Sequence, residues 1–499
     1  MVVVSSVNHL KHPCFTMKKL LLAAVLSVSL SFSNAAIVDS VYYLFSLTKT
    51  QLDSTLEANG VPSAFVGTIY DIDVYKVRYF TPSIDSTTIF ATGLLTVPTN
   101  ATCRLPLATF GHGTTSHREG VPSRANGGEA MISMVMGSLG YVSTAPDYIG
   151  LGDAPQGLLH PYQDARTEAS ATIDLLRAAR ELAPELNYRL NGQVFISGYS
   201  QGGHTTMATH LTMQTQLPNE FNVTASVPMS GPYDLSGVMV DVMLSDSDYA
   251  VPGYLPYLVF SWNQRYHFYN SPSDYLKSPY DVTLPPLFDG YHDMGQINAQ
   301  MPSVPKHIFK DEMIDSFTAN PNHPFRLALK DNDVYDWRPN CPVKIVFCRA
   351  DEEVNPRNAV VLYDSFKAKG ATNFDTLCAS ETLPHFQCAQ FAVLAMKSFV
   401  TPLQQADSCT TVGISDIAQG HFSIYPNPAT GTINIGFEDN TTLEHITAVN
   451  DLGQAISLPF SILSYQAVAD VSALQPGMYF IRAVANGKQQ PIGRFIKVN

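Results

Sequence analysis

Ser200 stands in Gly198-Tyr-Ser-Gln-Gly202, directly after the apolar run Val194-Phe-Ile-Ser197. A serine on a tight strand-to-helix turn needs residues without side chains two positions before and two after it, and Gly198 and Gly202 meet that need. A chain of this length yields roughly 0.1–0.2 such pentapeptides by chance. The context adds weight, because a strand-like run precedes the turn and Thr205 to Leu211 can continue it as a helix. A hydroxyl there is inert until a base takes its proton and a third group orients the base. In proteins with such an elbow the chain order is Ser, then Asp or Glu, then His. Lys344-Ile-Val-Phe-Cys-Arg-Ala-Asp351 is an apolar strand running into an acid, with Glu352 and Glu353 as rival carboxylates. Leu383-Pro-His-Phe-Gln387 places His385 34 positions after Asp351, ahead of an apolar stretch, Gln390 to Phe399, that predicts a helix. His323 precedes the acid strand and His421 lies near the C-terminus, so His385 is the base in the expected order.

Acyl transfer also needs donors for the developing oxyanion, each worth about 2.7–4 kcal/mol. Pro106-Leu-Ala-Thr-Phe-Gly-His-Gly-Thr114 ends a strand in Gly111-His-Gly113 and resembles the oxyanion loop of lipases and esterases. The backbone N–H of Thr114 or a neighbour, together with that of Gln201, supplies the expected donors. The Asp351 segment resembles the acid-bearing loop of α/β-hydrolases, with Cys348 where a glycine is more usual. Taken with Thr88 to Pro98, Ala145-Pro-Asp-Tyr-Ile-Gly-Leu-Gly-Asp153 and Gln163-Asp-Ala-Arg166, residues 70–400 resemble the secretory-lipase-like branch of the α/β-hydrolases. The resemblance implies hydrolysis of carboxylic esters, often acylglycerols, in a capped pocket. Asp147 and Tyr148 are expected to order a loop near the site without a catalytic role.

These residues need a sheet to hold them. Val74 to Tyr79 and Thr88 to Val97 are β-rich runs around a Pro/Ser/Asp turn, which predicts an antiparallel hairpin. Leu105 to Phe110, Tyr141 to Ala145, Val194 to Ser197, Ser226 to Met229 and Val343 to Cys348 are short apolar strands. Arg166 to Leu182 sets Ala169, Ile173, Leu176 and Ala179 on one helical face. Alternation of this kind predicts an α/β fold, a mostly parallel sheet with helices on both faces. From about 233 to 340 the alternation stops and aromatics crowd together: Tyr254, Tyr257, Phe260, Trp262, Tyr266, Phe268, Tyr269, Tyr275 and Tyr280. This predicts an inserted cap, its aromatics forming either a substrate wall or the cap's own small core.

The two ends of the 499-residue chain have other tasks. Met17-Lys-Lys19, the apolar run Leu20 to Phe32 and Ser33-Asn-Ala35 have the three parts of a signal peptide, assigned to residues 1–35 with Met17 as a second possible start. The apolar run is too short and Ser-rich for a transmembrane anchor. Cleavage after Ala35 removes Cys14 and leaves Cys103, Cys341, Cys348, Cys378, Cys388 and Cys409, an even set in an exported chain, hence disulfides. Cys341 and Cys348 bracket an extended run and make a poor pair; Cys378 with Cys388 is the first pair to test. No metal-ligand spacing appears, and neither a metal nor a cofactor is expected. A net charge of −13 argues against nucleic acid as a partner. From about 415 to 499 short alternating strands predict a small β-sandwich. Its Tyr425-Pro-Asn-Pro428, Asp451-Leu-Gly453, Leu474-Gln-Pro-Gly-Met-Tyr-Phe-Ile-Arg482 and Arg494-Phe-Ile-Lys-Val498 resemble the C-terminal sorting domain of the type IX secretion system. That resemblance implies a second export step, through the periplasm and across an outer membrane, with the secretion machinery as partner. The expected protein is thus a secreted serine hydrolase of residues 36–405 acting on ester substrates; a serine peptidase of the same fold and a noncatalytic surface-binding protein are the alternatives.

Overall fold

The structure is a computed structural model that describes residues 36–405, 423–437, 442–450, 454–463, 466–485 and 488–498. The signal segment 1–35 with Cys14, the Asp451-Leu-Gly453 motif, Cys409 and His421 lie outside the described residues.

Nine strands form one sheet: β1 Val38–Leu47, β2 Ile72–Pro82, β3 Thr88–Pro98, β4 Arg104–Gly111, β5 Val142–Pro146, β6 Arg189–Tyr199, β7 Val223–Met229, β8 Val343–Cys348 and β9 Phe374–Ser380. Their order is β1-β2-β3-β5-β4-β6-β7-β8-β9. β2 and β3 are the predicted hairpin, in register from Ile72–Pro98 to Pro82–Thr88. β1 and β5 also pair antiparallel to this hairpin, whereas β5, β4, β6, β7, β8 and β9 run parallel to one another. The central strands are buried on both faces, which is why they read as continuous apolar runs rather than alternating ones. The helices that matter for the site are α1 Gly128–Ser138, α2 Ala165–Leu182, α3 Gln201–Gln216, α4 Tyr254–Tyr266, α5 Pro324–Asp331, α6 Arg357–Ala368 and α7 His385–Val400. β4 has β5 on one side and β6 on the other, so the strand order reverses there. A crevice opens at the carboxyl ends of such strands, where parallel sheets place ligands.

Residues between β7 and β8 build a helical insert with its own core, in which Tyr257, Trp262, Phe309, Phe317 and Phe325 are fully buried. Most of the aromatics flagged in the sequence belong to that core; of the nine, Tyr254 lines the pocket described below. The insert is tied to the loop ahead of α2: Trp262 Nε1 donates to Tyr162 O at 2.8 Å, and Arg265 bridges to Asp164, the N-cap of α2, at 2.7 Å.

Among the described residues two four-stranded antiparallel sheets make the C-terminal sandwich. One contains Thr432–Gly436 and Gln466–Asp470, the other Leu443–Val449 and Gly477–Ala485. Ile433, Ile435, Ile446, Ala467, Ile481 and Phe495 fill the space between them. Among the described residues no helix is long and apolar enough to cross a membrane.

The expected Cys378–Cys388 disulfide is not formed. Cys348 bonds to Cys388, while Cys341 and Cys378 are free thiols and Cys103 is disulfide-bonded elsewhere. The strand pleat explains the outcome. Cys378 pairs with Phe347 across β8 and β9, so both side chains fall on one face of the sheet, and Cys348 falls on the other with Cys388.

Candidate active site

Ser200 links β6 to α3 with φ 58° and ψ −120°, a conformation that L-residues adopt only where the surroundings force it. The surroundings here are glycines. A Cβ on Gly198 would lie 2.3 Å from Gly202 O, and one on Gly202 would lie 1.9 Å from Gly111 O. β4, β6 and the start of α3 therefore meet backbone to backbone, and the serine is left at the carboxyl edge of the sheet. Ser200 N–H donates to Met229 O at 2.9 Å, fixing the turn to β7.

Asp351 and His385 are brought together. His385 Nδ1 lies 2.7 Å from Asp351 Oδ2, and Asp351 Oδ1 accepts the N–H groups of Glu353 (3.1 Å) and Val354 (2.8 Å). An ionised carboxylate only accepts hydrogen bonds, so Nδ1 carries the ring proton and Nε2 is the free base. His385 is not in a loop ahead of a helix at Gln390; it is the first residue of α7, with Pro384 as N-cap. Proline one position before the helix and the exposed Phe386 hide that start from the apolar pattern. The backbone N–H that a first helical residue leaves unpaired is accepted by Glu352 Oε2 at 2.8 Å. Glu353 takes a third position, its Oε2 4.0 Å from His385 Nε2. The three consecutive acids thus serve one histidine in three ways. Burial alone would push the imidazole down; the hydrogen bond and charge of Asp351, with Glu353 and Glu352 behind it, outweigh burial and hold it above its ordinary range.

Among the described residues no hydrogen bond joins Ser200 Oγ to His385 Nε2. Tyr199, the neighbour of Ser200, spans the gap: its OH donates to His385 O at 2.6 Å and its ring lies 4.9 Å from the imidazole. Ser200 and Glu353 also line one pocket, mostly apolar, with Tyr162 and cap residues such as Met243, Leu258 and Phe325. His323 is elsewhere, capping α5 through Nδ1.

The Gly111-His-Gly113 loop passes beside the serine, a Cβ on Gly113 falling 3.6 Å from Ser200 Cβ. Gly113 N–H is already donated to Glu129 Oε1 at 2.6 Å, which leaves Thr114 as the next backbone donor on that side. Thr114 Oγ1 donates to Tyr162 OH at 3.1 Å. Gln201 opens α3, and its N–H is one of those a helix leaves without an intrahelical partner. Tyr148 donates to His112 O at 3.1 Å and His112 Nε2 lies 3.3 Å from Asp147 O, while the Asp147 side chain accepts from Thr92 and Ser123; the two residues hold the loop, as expected of them.

Two further residues had no signal in the sequence. The fully buried Gln201 side chain donates through Nε2 to Glu168 Oε1 and to His160 Nε2, both at 2.7 Å, and Glu168 pairs with buried His204 at 2.8 Å. Burial pushes His160 down to about 3, so it is neutral and accepts at Nε2. Glu168 lies in the first turn of α2 and His160 in the loop ahead of it; they flank the Gln163-Asp-Ala-Arg166 segment, but nothing local links them to residue 201.

The disulfide adds a covalent link to the site. Cys348 is three residues before Asp351 and Cys388 three after His385, so the bond staples the acid loop to the base helix. This accounts for cysteine where a glycine is more usual. With the two cysteines 40 positions apart, the chain-entropy model gives about 4 kcal/mol. The double substitution Cys348→Ala/Cys388→Ala is expected to lower the stability measured by denaturant titration by that order and to reduce kcat. An unchanged midpoint together with unchanged kcat would show that the staple has no such role. Among the described residues no group of three or more His, Cys, Asp or Glu could hold a metal ion.

Residues 423–498 match the secretion system C-terminal sorting domain family. No curated protein matches the chain. Among solved structures the chain is similar to a Legionella pneumophila protein assigned as a hydrolase, with 28% identity, TM-score 0.69, and coverage of 74% of this chain and 99% of that one. It is similar to the rice cell wall degrading esterase LipA from Xanthomonas oryzae, with 28% identity, TM-score 0.66 and the same coverage. Candida antarctica lipase A in its closed state, at 15% identity and TM-score 0.55 over 74% of this chain and 82% of that one, shares the fold. The chain thus joins an α/β-hydrolase fold, similar to that of these secretory-lipase-like esterases, to a C-terminal sorting domain of the kind used in type IX secretion.

Proposed function

We propose that the protein is a secreted serine esterase or lipase in which Ser200 attacks the ester carbonyl and His385 takes its proton. Asp351 holds the imidazole and stabilises its charged form. The backbone N–H groups of Gln201 and Thr114 receive the oxyanion. The proton returns from His385 to the leaving alcohol, and water then repeats the cycle on the acyl-enzyme. The observation that carries the reading is a serine at φ 58° on a glycine-walled elbow sharing one pocket with the acid loop that holds His385. Hydrogen bonds of a catalytic serine are often long without substrate, so Ser200 Oγ closes on Nε2 when an ester fills the pocket. In this proposal residues 36–405 are the catalytic unit, with a cap at about 233–340. Residues 1–35 and 415–499 direct export through the periplasm to the cell surface or beyond.

A fluorophosphonate probe should label Ser200, identified by peptide mass; a folded protein that stays unlabelled would favour a noncatalytic binding role. Acyl esters of graded length should be cleaved and Xaa-Pro amides should not; the reverse preference would favour the peptidase reading. The pH profile follows from the charges around the base. His385 works when neutral, and the carboxylates of Asp351, Glu353 and Glu352 favour its protonated form. The kcat/KM should therefore fall with acid through a midpoint above the ordinary imidazole value of about 6.5. A midpoint well below that value would remove His385 from the role of base.

A further inference from the structure

The pocket that holds Ser200 is apolar over most of its wall, yet its lining residues include Glu353, an acid whose carboxylate bonds to the pocket-lining Tyr254. One oxygen of that carboxylate accepts a hydrogen bond from Tyr254 OH at 2.8 Å, and the Glu353 carbonyl accepts from Tyr249 OH at 2.5 Å. Among the described residues none of the pocket's lining residues is a lysine or arginine. The nearest group able to carry positive charge is His385 Nε2, at 4.0 Å, and it must be neutral to act as a base. With His385 neutral, the Glu353 carboxyl meets no cationic group in the pocket wall, an arrangement that a cationic group on the substrate would complement. A second observation is independent of the acids. Gln163 lines the same pocket, is 2% exposed, and its Oε1 is buried without a hydrogen-bond partner. Its backbone is held at φ 58°, again a conformation that needs support from its surroundings. A third is aromatic: Tyr162, Tyr249 and Tyr254 line the pocket together, with ring centroids 5.9 Å apart for Tyr162 and Tyr254 and 6.5 Å for Tyr249 and Tyr254. Tyrosine rings attract alkylammonium groups through their faces, while methyl groups on the nitrogen suit an apolar wall.

We infer that this pocket selects carboxylic esters bearing an alkylammonium group, with Glu353 as the residue that sets the preference. The inference rests on the esterase reading above and adds the substrate's charge to it. An ammonium there would pair with Glu353, meet the tyrosine rings, and relieve the charge imbalance around His385. A carboxylate or sulfonate would meet Glu353 with the same sign and no compensating partner.

The test uses the full secreted chain and esters that differ in one tetrahedral head group: trimethylammonio, tert-butyl or sulfonate. One set carries the head group on the acyl arm (4-trimethylammoniobutanoate, 5,5-dimethylhexanoate and 4-sulfobutanoate esters of a chromogenic phenol). The other carries it on the alcohol arm of butanoate esters. In at least one set kcat/KM should be about tenfold or more higher for the ammonium ester than for its tert-butyl counterpart, with the sulfonate slowest. Glu353→Gln should bring the ammonium and tert-butyl esters to within about threefold of each other, and Tyr254→Phe, which keeps the ring, should retain the order. Equal rates for all head groups, or a preference for tert-butyl, in the unmodified protein would overturn the inference and leave ester hydrolysis standing. An ammonium preference unchanged in Glu353→Gln would overturn the role given to Glu353. If the folded protein cleaves none of the esters, the esterase reading itself fails. The wild-type series decides the preference even if a variant does not fold.

Discussion

Ser200→Ala is expected to lower ester turnover on the order of 10⁴- to 10⁶-fold while leaving the thermal melt within a degree or two of the wild type. The size follows from the proposed mechanism: without the Oγ no acyl-enzyme would form, and only binding and oxyanion stabilisation would remain. The preserved fold follows from the structure. Ser200 makes no side-chain cap hydrogen bond at the start of α3, and its backbone N–H to Met229 O is unaffected by the change. Alanine also keeps the Cβ that already sits in this turn, so no new contact is forced on the site. Purified variant and wild type would be compared by steady-state kinetics and circular dichroism. Turnover that persists in a well-folded Ser200→Ala protein would mean that the nucleophile lies elsewhere.

Gly202→Ala should be worse for the molecule as a whole. Its new methyl would lie 1.9 Å from Gly111 O and 2.4 Å from Gly111 C, atoms of the β4 backbone that cannot rotate away. Either the start of α3 or the end of β4 must move, and with them both sides of the proposed oxyanion site. We expect at least a thousandfold loss of kcat/KM, since a displacement of about 1 Å can cost a hundredfold by itself, and a clear drop in melting temperature. Gly128→Ala is the control. Nothing lies within 4 Å of its Cβ position, and alanine in the first turn of α1 should be neutral or slightly stabilising. Comparable activity in Gly202→Ala and wild type would mean that the elbow is more compliant than its contacts indicate.

Much of the candidate site is legible in the sequence because its key positions are punctuated locally. Gly198 and Gly202 mark the turn, an apolar run leads into Asp351, and the order Ser, Asp, His narrows the choice of base. The division of labour among Asp351, Glu352 and Glu353 cannot be read that way. It depends on where the first turn of α7 falls, and Pro384 with exposed Phe386 obscures that point. The disulfide failed for another reason: proximity in sequence favours Cys378 for Cys388, but the pleat of β9 turns Cys378 to the face of the sheet opposite the bond. Glu168 and His160, which grip the Gln201 side chain, lie in and just ahead of α2, so only tertiary structure unites them with it. In the cap, composition signals aromatic density but not direction. Most of those rings face one another, and it is Tyr254, with Tyr249 and Tyr162, that reaches the pocket.

The Cys348–Cys388 bond has a consequence for timing. Such a bond does not persist in a reducing cytosol and forms once the chain reaches an oxidising compartment. Until then the Asp351 loop and the helix that begins at His385 are joined only by noncovalent contacts, hydrogen bonds and apolar packing. Under the proposed function, the chain would cross the first membrane with its acid and base not yet fastened together, and oxidation beyond that membrane would complete the site.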